Sequence, residues 1–168
     1  MSPLAELRKE KDTFFAEDPH SPLTREQKSS FGGLSYFEEN LSLRFELPID
    51  PIASIESVEM QTSTGDIQVY QRLGRIRFTV DGHEAALTIY SNEHGAFLPF
   101  VDLLAGKETY GAGRYLEPEL LGEGMVRVDF NLAYNPYCAY NDRGSCPITP
   151  MENRLKVSIR AGEKTFYP

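Results

Sequence analysis

This chain of 168 residues has few of the side chains that usually carry metal or thiol chemistry. It contains no tryptophan, three histidines and two cysteines. Zinc sites usually take four Cys or His ligands, and the histidines (His20, His83 and His94) are not spaced as ligands to Cys138 and Cys146. Nucleophilic catalysis by either thiol would need a base, and the sequence places none beside them. We therefore expect no metal centre.

Positive charge and long apolar runs are also scarce. The chain has 17 basic and 25 acidic residues, for a net charge of −8. A surface of this sign repels a phosphate backbone, which argues against a nucleic-acid partner. No window approaches the roughly 18 consecutive apolar residues of a membrane span, and MSPLAELRKEKD lacks the apolar core of a signal peptide. We expect no membrane partner, a cytoplasmic location and a single domain, residues 1–168.

Residues 1–33 predict a helical segment. Ser2 is placed to cap a helix that begins at Pro3, and the apolar stripe of that helix comprises Leu4, Leu7, Phe14 and Phe15. Thr24 and Gln27 have the spacing of a capping box, which predicts a second, short helix that stops at Gly32 and Gly33.

From residue 41 onward the hydrophobic period changes from helical to two. Short alternating segments separated by turn residues predict about eight or nine antiparallel strands, at residues 41–47, 55–60, 67–71, 76–80, 85–90, 96–101, 111–115, 125–131 and 155–159. This spacing is typical of a barrel or a sandwich. We favour a single antiparallel β-barrel over residues 41–168, lipocalin-like or streptavidin-like in architecture, because closure removes exposed edges. The helical segment would cover the barrel.

The strand at residues 125–131 leads into a long polar, aromatic loop that holds both cysteines. Its side chains alternate, with Val126, Val128 and Phe130 on one face and Arg127, Asp129 and Asn131 on the other. Only one set can line an apolar interior, and parity favours the valines. The alternative turns the polar face inward beneath the helical segment, and the polar side chains would then form a paired, buried cluster.

Arg114 is the most distinctive charged candidate. It follows Gly111 and Gly113, whose spacing favours a kinked strand over a phosphate loop. Its planar guanidinium suits a ligand carboxylate or phosphate, or an internal ion pair with Asp102 or Asp129. We favour the internal pair.

Hydroxyl and amide side chains concentrate around the cysteine loop. Such residues form either a self-bonded loop that seals one end of the fold or the lining of a small-molecule pocket. The candidate ligand-binding residues are Asp102, Tyr110, Arg114, Asp129, Asn131, Tyr134, Asn135 and Asn153. The two cysteines are close enough in sequence to form a disulfide, although the lack of a signal peptide favours free thiols.

Several stretches in the same order carry a family resemblance. They are FFAEDPHSPLTREQKSSFGGLSYF, FLPFVDLLAGKETYGAGRYLE at residues 97–117, DFNLAYNPYCAY, SCPITPMENRL and VSIRAGEK. With these motifs the chain resembles the prokaryotic family known as domain of unknown function 1684. The resemblance implies no activity, cofactor or catalytic residue.

Three functions fit these patterns. The first is a small-molecule-binding protein with a polar aromatic site. The second is a hydrolase or isomerase that uses Asp102 or Asp129 with Arg114 and Tyr110. The third is a protein-interaction or structural module. The sequence identifies neither a cofactor nor an oligomeric state.

Overall fold

The structure is a computed structural model that describes residues 2–52 and 57–167. In this part of the chain two α-helices lie near the N-terminus, α1 (Pro3–Glu17) and α2 (Arg25–Ser29). The Ser2 side chain accepts a hydrogen bond from a main-chain amide at the start of α1, and Thr24 and Gln27 form both bonds of a capping box. Both predicted helix starts are confirmed. α2 ends earlier than the predicted stop at Gly32.

Eight strands occur in the described residues, and every pair is antiparallel. They are β1 (Arg44–Pro48), β2 (Ser57–Gln61), β3 (Ile67–Val80), β4 (His83–Asn92), β5 (Gly95–Phe100), β6 (Arg114–Leu116), β7 (Glu119–Gly122) and β8 (Met125–Asp129). The segments predicted at 67–71 and 76–80 join into one long strand with an irregularity between Arg72 and Gly74. Of the segment predicted at 55–60, Ile55 and Glu56 lie outside the described residues.

The predicted closed barrel is wrong. The chain is mainly β and antiparallel, but within the described residues its strands form two sheets, with the orders β2-β3-β4-β5-β6 and β1-β8-β7. The segment predicted as the last strand, residues 155–159, joins neither sheet. Its apolar residues are buried, and its main chain forms isolated bonds just after β5, from the Leu155 amide to the Val101 carbonyl at 2.7 Å and from the Leu103 amide to the Val157 carbonyl at 3.0 Å. The main chain of Ile159 is bonded instead by the Asp102 and Arg114 side chains. Its alternation therefore reflects packing of one face.

The main core combines apolar side chains from both sheets and from this C-terminal segment. Val126, Val128 and Phe130 are fully buried. On the opposite face of β8, Arg127 donates to Glu46 and Glu119 at 2.8 and 2.7 Å. The orientation that parity favours is thus correct, and the alternative with the polar face inward is wrong.

The N-terminal helices pack in a second, smaller cluster and do not cover a barrel end. Phe15 of α1 and Leu23 are buried there with Tyr140, and Phe31 and Phe166 pack against them. The ring centroids of Phe15 and Tyr140 are 5.0 Å apart, edge to face. This cluster holds α1 against the residues that follow β8.

Candidate functional site

Arg114, at the start of β6, is used entirely within the fold. Its guanidinium donates to the carbonyls of Ile159 at 2.9 Å and Glu163 at 3.0 Å, and also to that of Ala161. Burial lowers the pKa of Arg114 to about 10, while the nearby Asp102 and Glu163 oppose this shift. Arg114 thus does for the C-terminal segment what a neighbouring strand would do.

Asp102 completes this arrangement. Its carboxylate lies 3.7 Å from the Arg114 guanidinium, and both side chains are 1% exposed. It accepts hydrogen bonds from the Thr109 hydroxyl at 3.0 Å and the Ile159 amide at 2.8 Å. Of the two internal partners considered for Arg114, the structure selects Asp102. Gly113 lets the start of β6 approach Phe100 closely, because a Cβ at this position would lie 2.5 Å from the Phe100 carbonyl oxygen. Its φ of +100° also favours glycine.

Asn153 makes a similar connection in the core. Its amide bonds both main-chain groups of Thr88 on β4 and the carbonyl of Pro99 on β5, each at 2.8 Å. We call Asp102, Arg114 and Asn153 the polar framework. Each of them satisfies buried main-chain groups that lack a ladder partner, which is a stabilising role.

Asp129 and Asn131 form a separate pair where β8 ends. The Asn131 side chain donates to Asp129 at 2.9 Å, and it bonds the main-chain amide and carbonyl of Asn40 at 2.8 and 2.9 Å. Asp129 also lies 3.9 Å from Arg44. The candidate residues therefore do not form one group, and Asp129 has no contact with Arg114 among the described residues.

Tyr110 lies near the two cysteines. Burial raises its pKa, and Cys138 and Cys146 add to the shift. The two sulfurs are 2.7 Å apart and both thiols are free. Burial, with the hydrogen bond that the two thiols share, raises the pKa of Cys146 to about 11, so this thiol is protonated at neutral pH and is a poor nucleophile.

Tyr134 lines a cavity that the sequence did not predict, whereas Asn135 lies outside its lining. The cavity lies between α1 and residues 131–134, has a volume of about 450 Å³, and we call it the helix cleft. Most of the surface that faces the cavity is apolar. The lining residues with polar side chains are Arg8, Glu10, Lys11, Tyr36, Asn131, Tyr134 and Glu163. Two of the candidate residues, Asn131 and Tyr134, are therefore in this lining.

The lining of the helix cleft includes an ion pair between Lys11 and a buried carboxylate. The Lys11 ammonium donates to the Glu163 carboxylate at 2.5 Å, where the two side chains are 29% and 1% exposed. The carboxylate also accepts from the Tyr140 hydroxyl at 2.6 Å and the Asn135 main-chain amide at 3.3 Å. An ammonium has three donors, and among the described residues Glu163 is the one hydrogen-bond acceptor of Lys11.

Arg8 and Tyr36 form the neighbouring wall. The guanidinium carbon of Arg8 lies 4.3 Å from the centre of the Tyr36 ring. Burial lowers the pKa of Arg8, although Tyr36 and nearby carboxylates oppose it. Burial and then Glu163 raise the pKa of Tyr36, whose hydroxyl is buried without a partner among the described residues. An unpaired buried hydroxyl costs roughly 1–3 kcal/mol, which a polar ligand atom would offset.

The helix cleft escaped prediction because its polar residues are distant in sequence. Lys11, Tyr36 and Glu163 come from α1, a connecting segment and the C-terminal segment. One signal was present, since Lys11 lies between Leu7 and Phe14 at helical spacing, within the apolar stripe of α1.

The described residues also limit other kinds of site. Residues 2–52 and 57–167 contain no group of three or more His, Cys, Asp or Glu side chains that could hold a metal ion. No helix in these ranges is both long and apolar enough to cross a membrane.

Comparison with known proteins confirms the family resemblance. The family model described as protein of unknown function (DUF1684) matches residues 29–164. The chain is also similar to an uncharacterized protein from Haloarcula marismortui, whose structure was determined in solution by NMR. The two are 38% identical with a TM-score of 0.72, over 96% of this chain and 92% of that one. No curated protein matches this chain.

Proposed function

The chain belongs to the DUF1684 family of proteins of unknown function, and we propose that it binds a small, uncharged, mainly apolar molecule in the helix cleft. The observation that carries this proposal is the Lys11 ammonium, which lies in an apolar cavity with donors to spare. The volume of about 450 Å³ is in the range of ligand pockets. A ligand oxygen bonded to Lys11 would fix the orientation of an otherwise apolar molecule.

Charge balance favours an uncharged ligand. The cationic lining residues, Arg8 and Lys11, are matched by the anionic Glu10 and Glu163. Because the lining is balanced, a carboxylate ligand would lose its hydration without gaining an excess positive charge. A ketone, ester or amide oxygen accepts a hydrogen bond from an ammonium at a smaller desolvation cost.

The enzymatic alternative has less support. It relied on Asp102 or Asp129 acting with Arg114 and Tyr110. Asp102 and Arg114 are almost fully buried and already bonded within the fold, and Asp129 is bonded to Asn131. A general acid or base must come within hydrogen-bond reach of a substrate, which burial prevents for Asp102, and Asp129 has no contact with Arg114 among the described residues.

A single introduced tryptophan tests the proposal, because the natural chain has none to interfere. Leu132 lines the helix cleft and is partly exposed, so Leu132→Trp provides a fluorescent reporter. We expect cyclohexanone to change its emission saturably and cyclohexanecarboxylate to bind more weakly. Lys11→Met in the same background should weaken cyclohexanone binding about 10-fold, the effect of one hydrogen bond from a charged donor.

A matched reporter makes the result specific. Leu120 is exposed on β7 and does not line the helix cleft, so Leu120→Trp should show no saturable change. The proposal fails if cyclohexanone gives no saturable signal at Leu132→Trp, or if Lys11→Met leaves the affinity unchanged.

A further inference from the structure

A second cavity lies on the five-stranded sheet, on the face opposite the main core. It has a volume of about 900 Å³, and we call it the aromatic groove. Phe97 pairs in register with Tyr90, which alternates along β4 with the core residue Ile89. Side chains that alternate along a strand lie on opposite faces, so Phe97 and Tyr90 face away from the core. The groove is thus independent of the helix cleft except at Tyr134, which lines both.

Four aromatic rings in succession line the aromatic groove. The ring centroids of Tyr70 and Phe97 are 5.4 Å apart and stacked, those of Phe97 and Tyr115 are 4.9 Å apart, and those of Tyr115 and Tyr134 are 6.0 Å apart. The last two pairs meet nearly edge to face. The faces of such rings carry negative electrostatic potential, which attracts cations.

The acidic side chains that line the groove meet no lysine or arginine in its described lining, and the Lys11 ammonium of the helix cleft lies 5.1 Å from the centre of the Tyr134 ring. The described lining of the groove includes the carboxylates of Glu93 and Glu117 and contains no lysine or arginine. Glu117 accepts a hydrogen bond from the Tyr134 hydroxyl. Among the described residues it has no cationic partner, whereas the exposed Glu119 is paired with Arg127. A carboxylate beside aromatic rings, with no internal cation, complements a positively charged ligand.

We infer that the aromatic groove binds a small organic ammonium ion beside Glu117. The ammonium group would lie against the rings of Tyr115 and Tyr134, and its charge would be balanced by the Glu117 carboxylate. Cation–π attraction and the solvent-exposed Glu117 carboxylate act together on the same charge. The net charge of −8 adds a long-range attraction for cations.

Choline and its uncharged carbon isostere, 3,3-dimethylbutan-1-ol, isolate the effect of the charge. We expect isothermal titration to show choline binding at least about 10-fold more tightly than the isostere. Glu117→Gln keeps a group that accepts from Tyr134 but removes the charge, and should weaken choline binding about 10-fold. Tyr134 chemical shifts in NMR spectra of the native protein should move on adding choline.

The matched control is Glu84→Gln, which removes an exposed carboxylate near the start of β4, whereas the aromatic groove lies at the end of this strand, at Ser91 and Asn92. It should leave choline affinity within about 2-fold of the native value, because only the long-range charge changes. The inference is overturned if choline does not bind, if the isostere binds equally well, or if Glu84→Gln and Glu117→Gln weaken binding alike. Because the cyclohexanone assay reads the other cavity, its outcome is separate from this one.

Discussion

The polar framework and the helix cleft each contain a cation paired with a buried carboxylate, but they use their donors differently. In the polar framework, the Arg114 guanidinium donates hydrogen bonds to three main-chain carbonyls and lies 3.7 Å from the Asp102 carboxylate. In the cleft, Lys11 bonds one described acceptor, Glu163, beside an apolar cavity. Burial of polar side chains therefore does not by itself mark a binding site. Hydrogen-bond donors that have no protein acceptor and lie beside a cavity are better indicators of a binding site.

The largest expected effect is a difference in the free energy of unfolding that is lost when the cation of each ion pair is removed. Arg114→Met leaves Asp102 buried without a cation and three carbonyls without a donor, so it should lower the free energy of unfolding by about 3–5 kcal/mol or abolish folding. Lys11→Met should cost only about 1–2 kcal/mol, because Lys11 is partly exposed and two other groups still donate to Glu163.

Denaturant melts of the two variants provide the measurement. Arg127→Met is the matched surface control, since Arg127 pairs with two exposed carboxylates, and it should cost less than about 1 kcal/mol. Equal losses for Arg114→Met and Lys11→Met would remove the distinction between framework and cleft.

A smaller effect is the pH dependence of the stability that comes from Tyr140, whose hydroxyl donates to the cleft residue Glu163. Burial and then Glu163 raise the pKa of the Tyr140 hydroxyl far above its usual value near 10. The stabilisation that comes from keeping this hydroxyl protonated is complete below about pH 10 and is lost as the pH rises further, because the unfolded chain then ionises while the folded chain does not. The stability difference between the native chain and Tyr140→Phe should narrow by about 1 kcal/mol from about pH 8 to about pH 10.7.

Denaturant melts at the two pH values measure this difference, with the exposed Tyr167→Phe as the control. A difference that stays constant for Tyr140→Phe would mean that the Tyr140 hydroxyl is not shielded in the folded chain.

Local sequence patterns predicted the helices and most strands of the fold, but they did not predict how the strands join into sheets. The caps at Ser2 and Thr24 and the orientation of β8 followed from residue type and alternation. The barrel did not, because residues 155–159 alternate like a strand although they form only isolated main-chain bonds with Val101 and Leu103, and side chains bond the main chain of Ile159. Alternation records which face is buried, and it does not identify the hydrogen-bond partner.

The site was predicted only in part for a related reason. The internal pairing of Arg114 with Asp102 was one of the two considered from the sequence, and Tyr134 proved to line both cavities. Two other cleft residues, Tyr36 and Glu163, come together only when the C-terminal segment packs against α1. No local period connects positions so far apart in the chain.

The most direct test of this account is a ¹H–¹⁵N NMR titration of the native chain with cyclohexanone. The account predicts that the amide signals of Lys11, Tyr36 and Ala133 shift saturably, while those of Arg114 and Asn153 in the polar framework do not. Saturable shifts at Arg114 and Asn153, with none at Lys11 and Tyr36, would contradict it.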